Sequence, residues 1–127
     1  MEKVSLSGKK VLVTGGSGFI GRCLCHELMD SGCELWVLSR NRQRAARQLI
    51  QGVRIIERLE EIAGIDFFAV INLAGEPLGA GRWNAVLKSR FRQSRIELTR
   101  ELFQFFERQQ QWPSVLINAS AIGIYGD

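Results

Sequence analysis

A glycine cluster set directly between an apolar strand pattern and a helical pattern is the feature that most constrains this chain. Residues 11–21 read VLVTGGSGFIG, and the strand pattern runs straight into Gly15, Gly16, Gly18 and Gly21. Glycine permits a tight turn and leaves backbone N–H groups open to a phosphate. A strand, a glycine turn and a helix in this order predict the first unit of a dinucleotide-binding fold.

The composition is that of an ordinary globular protein. Of the 127 residues, 46% are hydrophobic and 24% are charged, and the length predicts one domain over residues 1–127. No apolar run approaches the roughly 18 residues of a membrane span, and the N-terminus has no apolar signal segment. We therefore expect no membrane contact and a cytoplasmic location.

The charge and the cysteines point to a small anionic ligand and to no metal. The net charge is +4, and the basic residues are spread out except for a concentration at residues 40–47. This favours a local phosphate site, with a nucleic-acid surface as the alternative. Three cysteines, one histidine and no CxxC pair do not suggest a zinc site, and reduced cytoplasmic thiols are expected.

Strand and helix patterns alternate along the whole chain. Strands are predicted at residues 10–13, 34–38, 53–56, 67–73 and 115–119, and helices at residues 19–30, 42–51 and 82–110. This alternation predicts an α/β Rossmann-type fold, a doubly wound parallel sheet in the order 3-2-1-4-5 between two helical layers. The chain ends just after the fifth strand, where we expect such a sheet to continue.

Two helices carry apolar stripes. In the first helix the expected stripe comprises Phe19, Ile20, Cys23, Leu24 and Leu28. In the long helix it comprises Trp83, Leu87, Phe91, Leu98, Leu102 and Phe106. Phe103, Phe105 and Phe106 crowd the last turns of that helix on several sides, so we expect a second partner there, either further chain or the other subunit of a homodimer.

The end of the second strand predicts a preference for NADP(H) over NAD(H). An NAD site usually has an acidic residue there for the ribose 2′-hydroxyl, whereas this chain has Ser39 and Arg40. Ser39 can donate to a phosphate oxygen, and the Arg40 guanidinium can bind a 2′-phosphate and stack on adenine. Arg42 and Arg44 are expected to add positive potential or to lie on the polar face of the next helix.

The loop at residues 75–81 follows the fourth strand at its carboxyl end. Open parallel sheets bind their ligands at that end, so we expect this loop to border the substrate cleft. Glu76 and Arg82 are its charged candidates for contact with a small-molecule substrate.

Four segments together resemble the extended short-chain dehydrogenase/reductase superfamily, and most of all its "epimerase family protein" branch. They are TGGSGFIGRCL (14–24), VINLAGEPL (70–78), the RW…SRIELTREL stretch (82–102) and INASAIGIYGD (117–127). The resemblance implies an NAD(P)-dependent oxidoreductase or epimerase acting at a hydroxyl or carbonyl carbon, with a nucleotide sugar as the substrate that the family name suggests. Family members are considerably longer, so it also implies a substrate-binding C-terminal part beyond these residues.

The resemblance assigns roles to particular residues. The turn against the dinucleotide would comprise Thr14, Gly15, Gly16, Ser17, Gly18, Phe19, Ile20 and Gly21. The strand behind the cofactor's ribose would contribute Asn72, Leu73, Ala74 and Gly75. Ser120 lies in the segment that carries a catalytic Ser or Thr in the superfamily, but one residue before the usual position, which Ala121 occupies.

The superfamily's acid/base pair is not found in residues 1–127. It is a tyrosine with a lysine four residues on, and Tyr125 matches a Tyr-Gly pair instead. A dinucleotide-binding sensor or scaffold without turnover is therefore the alternative function. A P-loop NTPase is a weaker one, because no Gly-Lys-Ser/Thr follows the glycine turn.

Overall fold

The computed structural model describes residues 6–15, 19–73 and 85–118. The strands are β1 (Lys10–Thr14), β2 (Glu34–Leu38), β3 (Arg54–Ile56), β4 (Ala69–Asn72) and β5 (Val115–Asn118). The helices are α1 (Phe19–Asp30), α2 (Arg42–Gln48) and α3 (Ala85–Gln109), with a short 3₁₀ turn at Leu59–Ile62 that the sequence analysis missed.

The five strands form one sheet in the order β3-β2-β1-β4-β5, and each neighbouring pair is parallel. This confirms the predicted Rossmann-type fold and its strand order. The chain moves outward from β1 to β3 and then crosses back to place β4 on the other side of β1. β1 and β4 are therefore the two strands on either side of the reversal.

The centre of the sheet is covered on both faces. Leu12 of β1 and Val70 of β4 share one core cluster with Leu102 of α3. Val13, the next residue of β1, belongs to a second cluster with Leu28 of α1. Successive residues of β1 enter different clusters because side chains alternate between the faces of a strand. The result is the expected three-layer arrangement.

The buried face of α1 differs from the predicted stripe. Gly21, Cys25 and Leu28 are buried, whereas Ile20 is 55% exposed and Cys23 is exposed. The prediction that Ile20 and Cys23 face the core is wrong. The residues that do face it recur at i, i+4 and i+7, so they form one helical face that excludes those two positions.

α2 and β4 are shorter than predicted. α2 ends at Gln48 because Leu49 has extended backbone, and its N–H bonds the Ala45 carbonyl at 2.9 Å. β4 begins at Ala69, and Phe67 precedes the strand and packs edge-on against Trp36 with ring centroids 5.2 Å apart. The other ends agree with the predictions to within one residue wherever they are described.

The end of α3 is less exposed than its sequence suggests. Phe106 is 2% exposed, which confirms its place in the predicted stripe, and Phe105 is 3% exposed in the same core cluster of Leu12, so neither ring needs the second partner that was expected. Phe103 stays exposed, with its ring 5.9 Å from that of Trp112. No helix in the described part of the chain combines the length and the apolar character that a membrane crossing needs.

Candidate functional site

The carboxyl ends of β1 and β4 lie side by side at the point where the strand order reverses. Thr14, the last residue of β1, is the register partner of Asn72, the last residue of β4. The Leu73 N–H continues the pairing with a 2.9 Å bond to the Thr14 carbonyl. In open α/β sheets the crevice beyond such strand ends is the usual place for a ligand.

The glycine turn starts where β1 ends. Gly15 has φ +76°, a left-handed conformation that favours glycine, so the chain leaves β1 by a turn that other residues would strain. α1 then begins at Phe19, and Gly21 in its first turn is buried. Gly16, Ser17 and Gly18 lie outside the described residues, and their predicted contacts with a pyrophosphate stay predictions.

A partly buried polar network joins the strand ends on one face of the sheet. Asn72 Nδ2 donates to Asn118 Oδ1 of β5 and to Thr99 Oγ1 of α3, each at 2.8 Å. Thr14 Oγ1 donates to Asn72 Oδ1, and Thr14 and Asn72 are 0% and 5% exposed. The sequence analysis missed Thr99 and Asn118. A signal for Asn118 existed, because it ends its strand as Thr14 and Asn72 end theirs.

Ser39 and Arg40 lie together just beyond the end of β2. The Ser39 N–H donates to the Ile56 carbonyl at 2.9 Å, which aligns this segment with the end of β3. Ser39 Oγ is 3.4 Å from both the N–H and the carbonyl oxygen of Asn41, and the Asn41 side chain caps α2. Arg40 is exposed, and within the described residues its guanidinium makes no ion pair.

Arg42, the first residue of α2, is held by two acids of the segment that follows β3. Its guanidinium nitrogen lies 2.6 Å from Glu61 Oε1, and its backbone N–H donates to Glu57 Oε2 at 3.1 Å. The backbone N–H groups of Glu57 and Arg58 donate to Glu61 and lower its pKa, and Arg42 adds to the effect. Of the two expected roles, Arg42 thus takes the structural one. The sequence signal for Glu57 was its place directly after the third strand.

The remaining predicted site residues lie outside the described part of the chain. They are Ala74, Gly75, Glu76, Arg82 and Ser120. The described residues therefore place Gly15, the end of β4 and the Ser39–Arg40 pair along the carboxyl ends of the strands, and leave the substrate side as a prediction.

Sequence comparison finds relatives along almost the whole chain. Residues 11–127 match the family described as the NAD-dependent epimerase/dehydratase family. Epimerase family protein YfhF of Bacillus subtilis is 36% identical over 120 residues, which are 91% of this chain and 39% of that protein. The corresponding protein SSP1921 of Staphylococcus saprophyticus is 36% identical over 117 residues. The chain thus spans about two-fifths of the length of these curated relatives.

Solved structures share the fold. The human epimerase family protein SDR39U1, crystallised with NADPH, is 29% identical with a TM-score of 0.66, over 92% of this chain and 38% of that one. A UDP-galactose 4-epimerase has the same TM-score at 21% identity, over 93% of this chain and 40% of its own, which supports the fold alone.

Proposed function

Because the chain belongs to the NAD-dependent epimerase/dehydratase family, we propose that it is the dinucleotide-binding part of an NADP(H)-dependent oxidoreductase or epimerase of the short-chain type. The observation that carries the proposal is the adjacency of Thr14 and Asn72 at the reversal of the strand order, with Gly15 at positive φ beside them. Strand ends and a glycine turn in this arrangement suit a pyrophosphate bound at a helix N-terminus.

The residues present fit such a dinucleotide. Backbone N–H groups of the glycine turn would hold the pyrophosphate, and the residues from Asn72 to Gly75 would border the nicotinamide ribose. Ser39 and Arg40 would hold the adenosine ribose and its 2′-phosphate. When bound, the cofactor supplies hydride exchange, and the protein binds and orients the reactants.

We propose a hydroxyl- or carbonyl-bearing small molecule, such as a nucleotide sugar, as the substrate. Ser120 is our candidate for a hydrogen bond to the reacting oxygen, and Glu76 and Arg82 are candidates for substrate contact.

The second candidate function is a dinucleotide sensor or scaffold without turnover. It would hold if the full-length protein had no Tyr-x-x-x-Lys pair. Binding of NADPH without any hydride exchange by the full-length protein would support it.

The preference for NADP(H) rests on the unequal surroundings of the basic residues near β2. Arg40 is exposed beside Ser39, whereas the Arg42 guanidinium is paired with Glu61 at 2.6 Å. A charge-assisted bond to a 2′-phosphate is worth about 1.5–3 kcal/mol, which corresponds to roughly tenfold discrimination or more. The human relative crystallised with NADPH is consistent with this preference.

Arg40→Ala, with Arg42→Ala as the matched control, tests the function and the preference together. Titration calorimetry should show the parent binding NADPH at least about tenfold more tightly than NADH. Arg40→Ala should remove most of that difference by weakening NADPH alone. Arg42→Ala should keep the ratio, because that guanidinium already has a partner. A parent that binds both cofactors equally, or an Arg40→Ala protein that weakens them alike, would disprove the assignment.

Location and assembly are proposals as well. We propose that the protein works in the cytoplasm, where Cys23, Cys25 and Cys33 would stay reduced. A homodimer is also proposed, on the narrower basis of the exposed rings of Phe103 and Trp112. Sedimentation of the full-length protein as a strict monomer at micromolar concentration would contradict it.

A further inference from the structure

The short segment between β2 and α2 is attached at both ends to the chain around the end of β3. At its start, the Ser39 N–H donates to the Ile56 carbonyl at 2.9 Å. At its end, the Arg42 N–H donates to Glu57 Oε2 at 3.1 Å. Arg40 lies between these two attachments and is exposed. The two arginines therefore belong to one fixed segment, and their Cα atoms are at most about 7 Å apart.

The two arginines differ in their partners. Arg42 Nη2 is 2.6 Å from Glu61 Oε1, whereas Arg40 makes no ion pair within the described residues. The pair is half exposed, and ion pairs in contact with water add little to folding stability. Without it, α2 would keep its Asn41 cap and the backbone bond to Glu57. The contact is therefore not required to hold α2 in place, and its main consequence is the position of the Arg42 guanidinium.

The Glu61 carboxylate is itself held in place. Its Oε2 accepts the backbone N–H groups of Glu57 and Arg58 at 2.7 and 2.9 Å, and its Oε1 accepts from Arg42. These bonds lower the pKa of Glu61, so the carboxylate stays ionised at neutral pH. A carboxylate that is already fixed loses less side-chain freedom on pairing than a free one, so it retains the guanidinium better than an ordinary surface acid would.

We propose that Glu61 is a positioning residue for cofactor selection, which keeps the Arg42 guanidinium on the 3₁₀ turn and leaves the contact with a 2′-phosphate to Arg40. This inference rests on the proposed NADP(H) function. A second guanidinium within reach of the phosphate would make a further charge-assisted bond to it. Glu61 thus limits the preference for NADPH, although it contacts neither cofactor, because specificity is a difference between two affinities.

Glu61→Gln separates the two roles of this carboxylate. The glutamine oxygen can keep the bonds from the backbone N–H groups of Glu57 and Arg58, while the amide nitrogen has only donors to offer to Arg42. The variant should therefore fold and release the guanidinium. Titration calorimetry on the full-length protein should show NADPH binding about two- to fivefold more tightly than in the parent, with NADH unchanged. A variant that binds NADPH no better, or both cofactors equally better, would overturn the proposal.

Two matched variants test whether the gain depends on Arg42. Glu60→Gln removes the same charge from the adjacent residue, which is exposed and has no ion pair in the described part of the chain, so it should tighten NADPH binding by clearly less. In an Arg42→Ala background, Glu61→Gln should bring no gain, because no guanidinium is there to be released. A gain that persists in that background, or an equal gain in Glu60→Gln, would overturn the positioning role.

The direction of the effect separates positioning from a structural role. Removing a contact that only stabilises the fold does not tighten cofactor binding, so a gain for NADPH alone supports positioning. A parent that binds neither NADPH nor NADH would overturn the proposed function and this inference with it. A parent that binds NADPH, with no gain in Glu61→Gln, would overturn the inference and leave the proposed function intact.

Discussion

β1 and β5 have similar sequences and opposite surroundings. β1 reads KVLVT and β5 reads VLIN, and both are parallel strands of the same sheet. Val11, Leu12 and Val13 of β1 are at most 1% exposed, whereas Val115 and Ile117 of β5 are 39% and 48% exposed. β1 has strands on both sides and helices over both faces, but in the described part of the chain β5 pairs only with β4.

The difference shows that an apolar strand pattern does not by itself fix burial. Leu116 of β5 packs against the core cluster of α3, so one face of this strand is covered like that of β1. Val115 and Ile117 point to the face of Ala69 and Ile71, where α1 covers β1 and does not reach β5 within the described residues. Three substitutions test this difference between β1 and β5.

Leu12→Ala should have the largest effect. Leu12 is fully buried between the sheet and α3, so the loss of its side chain should lower the free energy of unfolding by about 2–5 kcal/mol. Urea denaturation measures the loss. The matched change Val115→Ala on β5 should cost about 0.5 kcal/mol or less, because Val115 is already in contact with water. Equal losses at the two strands would contradict the comparison.

α1 covers one face of β1, and a buried thiol on that helix should make the stability of the protein depend on pH. The effect should be smaller than that of Leu12→Ala. Burial, with a contribution from Cys33, raises the pKa of Cys25 from 9.0 to about 11. The folded protein therefore keeps this thiol protonated where the unfolded chain releases its proton, so stability is retained below pH 9 and falls between pH 9 and 11. Urea denaturation at several pH values should show that the free energy of unfolding falls less steeply with pH in Cys25→Ala than in the parent. Cys23→Ala, at an exposed position of the same helix, should show the same pH dependence of the free energy of unfolding as the parent. An equal change of that dependence in the two variants would refute the prediction.

Ile117→Lys should have the smallest effect. An exposed edge strand tolerates a lysine, so the free energy of unfolding should change by about 0.5 kcal/mol or less. The same urea experiment provides the measurement. A loss of about 2 kcal/mol or more would mean that this face of β5 is covered in solution, and the contrast with β1 would then disappear.

The fold was largely predictable because its signals are local. The strand patterns, the glycine turn and the helix stops each lie within a few residues, and the topology follows from their alternation. The errors occurred where burial depends on neighbours. Ile20 and Cys23 are exposed on α1, and Phe105 is a core residue of α3 outside the predicted stripe.

The site was predictable in part. The sequence placed Gly15 and the Ser39–Arg40 pair just beyond the ends of β1 and β2, where the structure has them, and their contacts with a cofactor stay predictions. It gave no means of choosing among the nearby arginines. The pairing of Arg42 with Glu61 spans 19 residues and depends on how β3 and the following 3₁₀ turn meet α2, so only the assembled structure separates Arg42 from Arg40.

The class of fold, the order of the strands and the position of the glycine cluster follow from the short-range spacing of apolar residues and glycines. Which polar side chains meet depends on the tertiary structure. Asn72 bonds residues that are 58, 27 and 46 positions away along the chain. Contacts of that range depend on strand register and helix packing, and these are set by the whole sheet and not by any one segment.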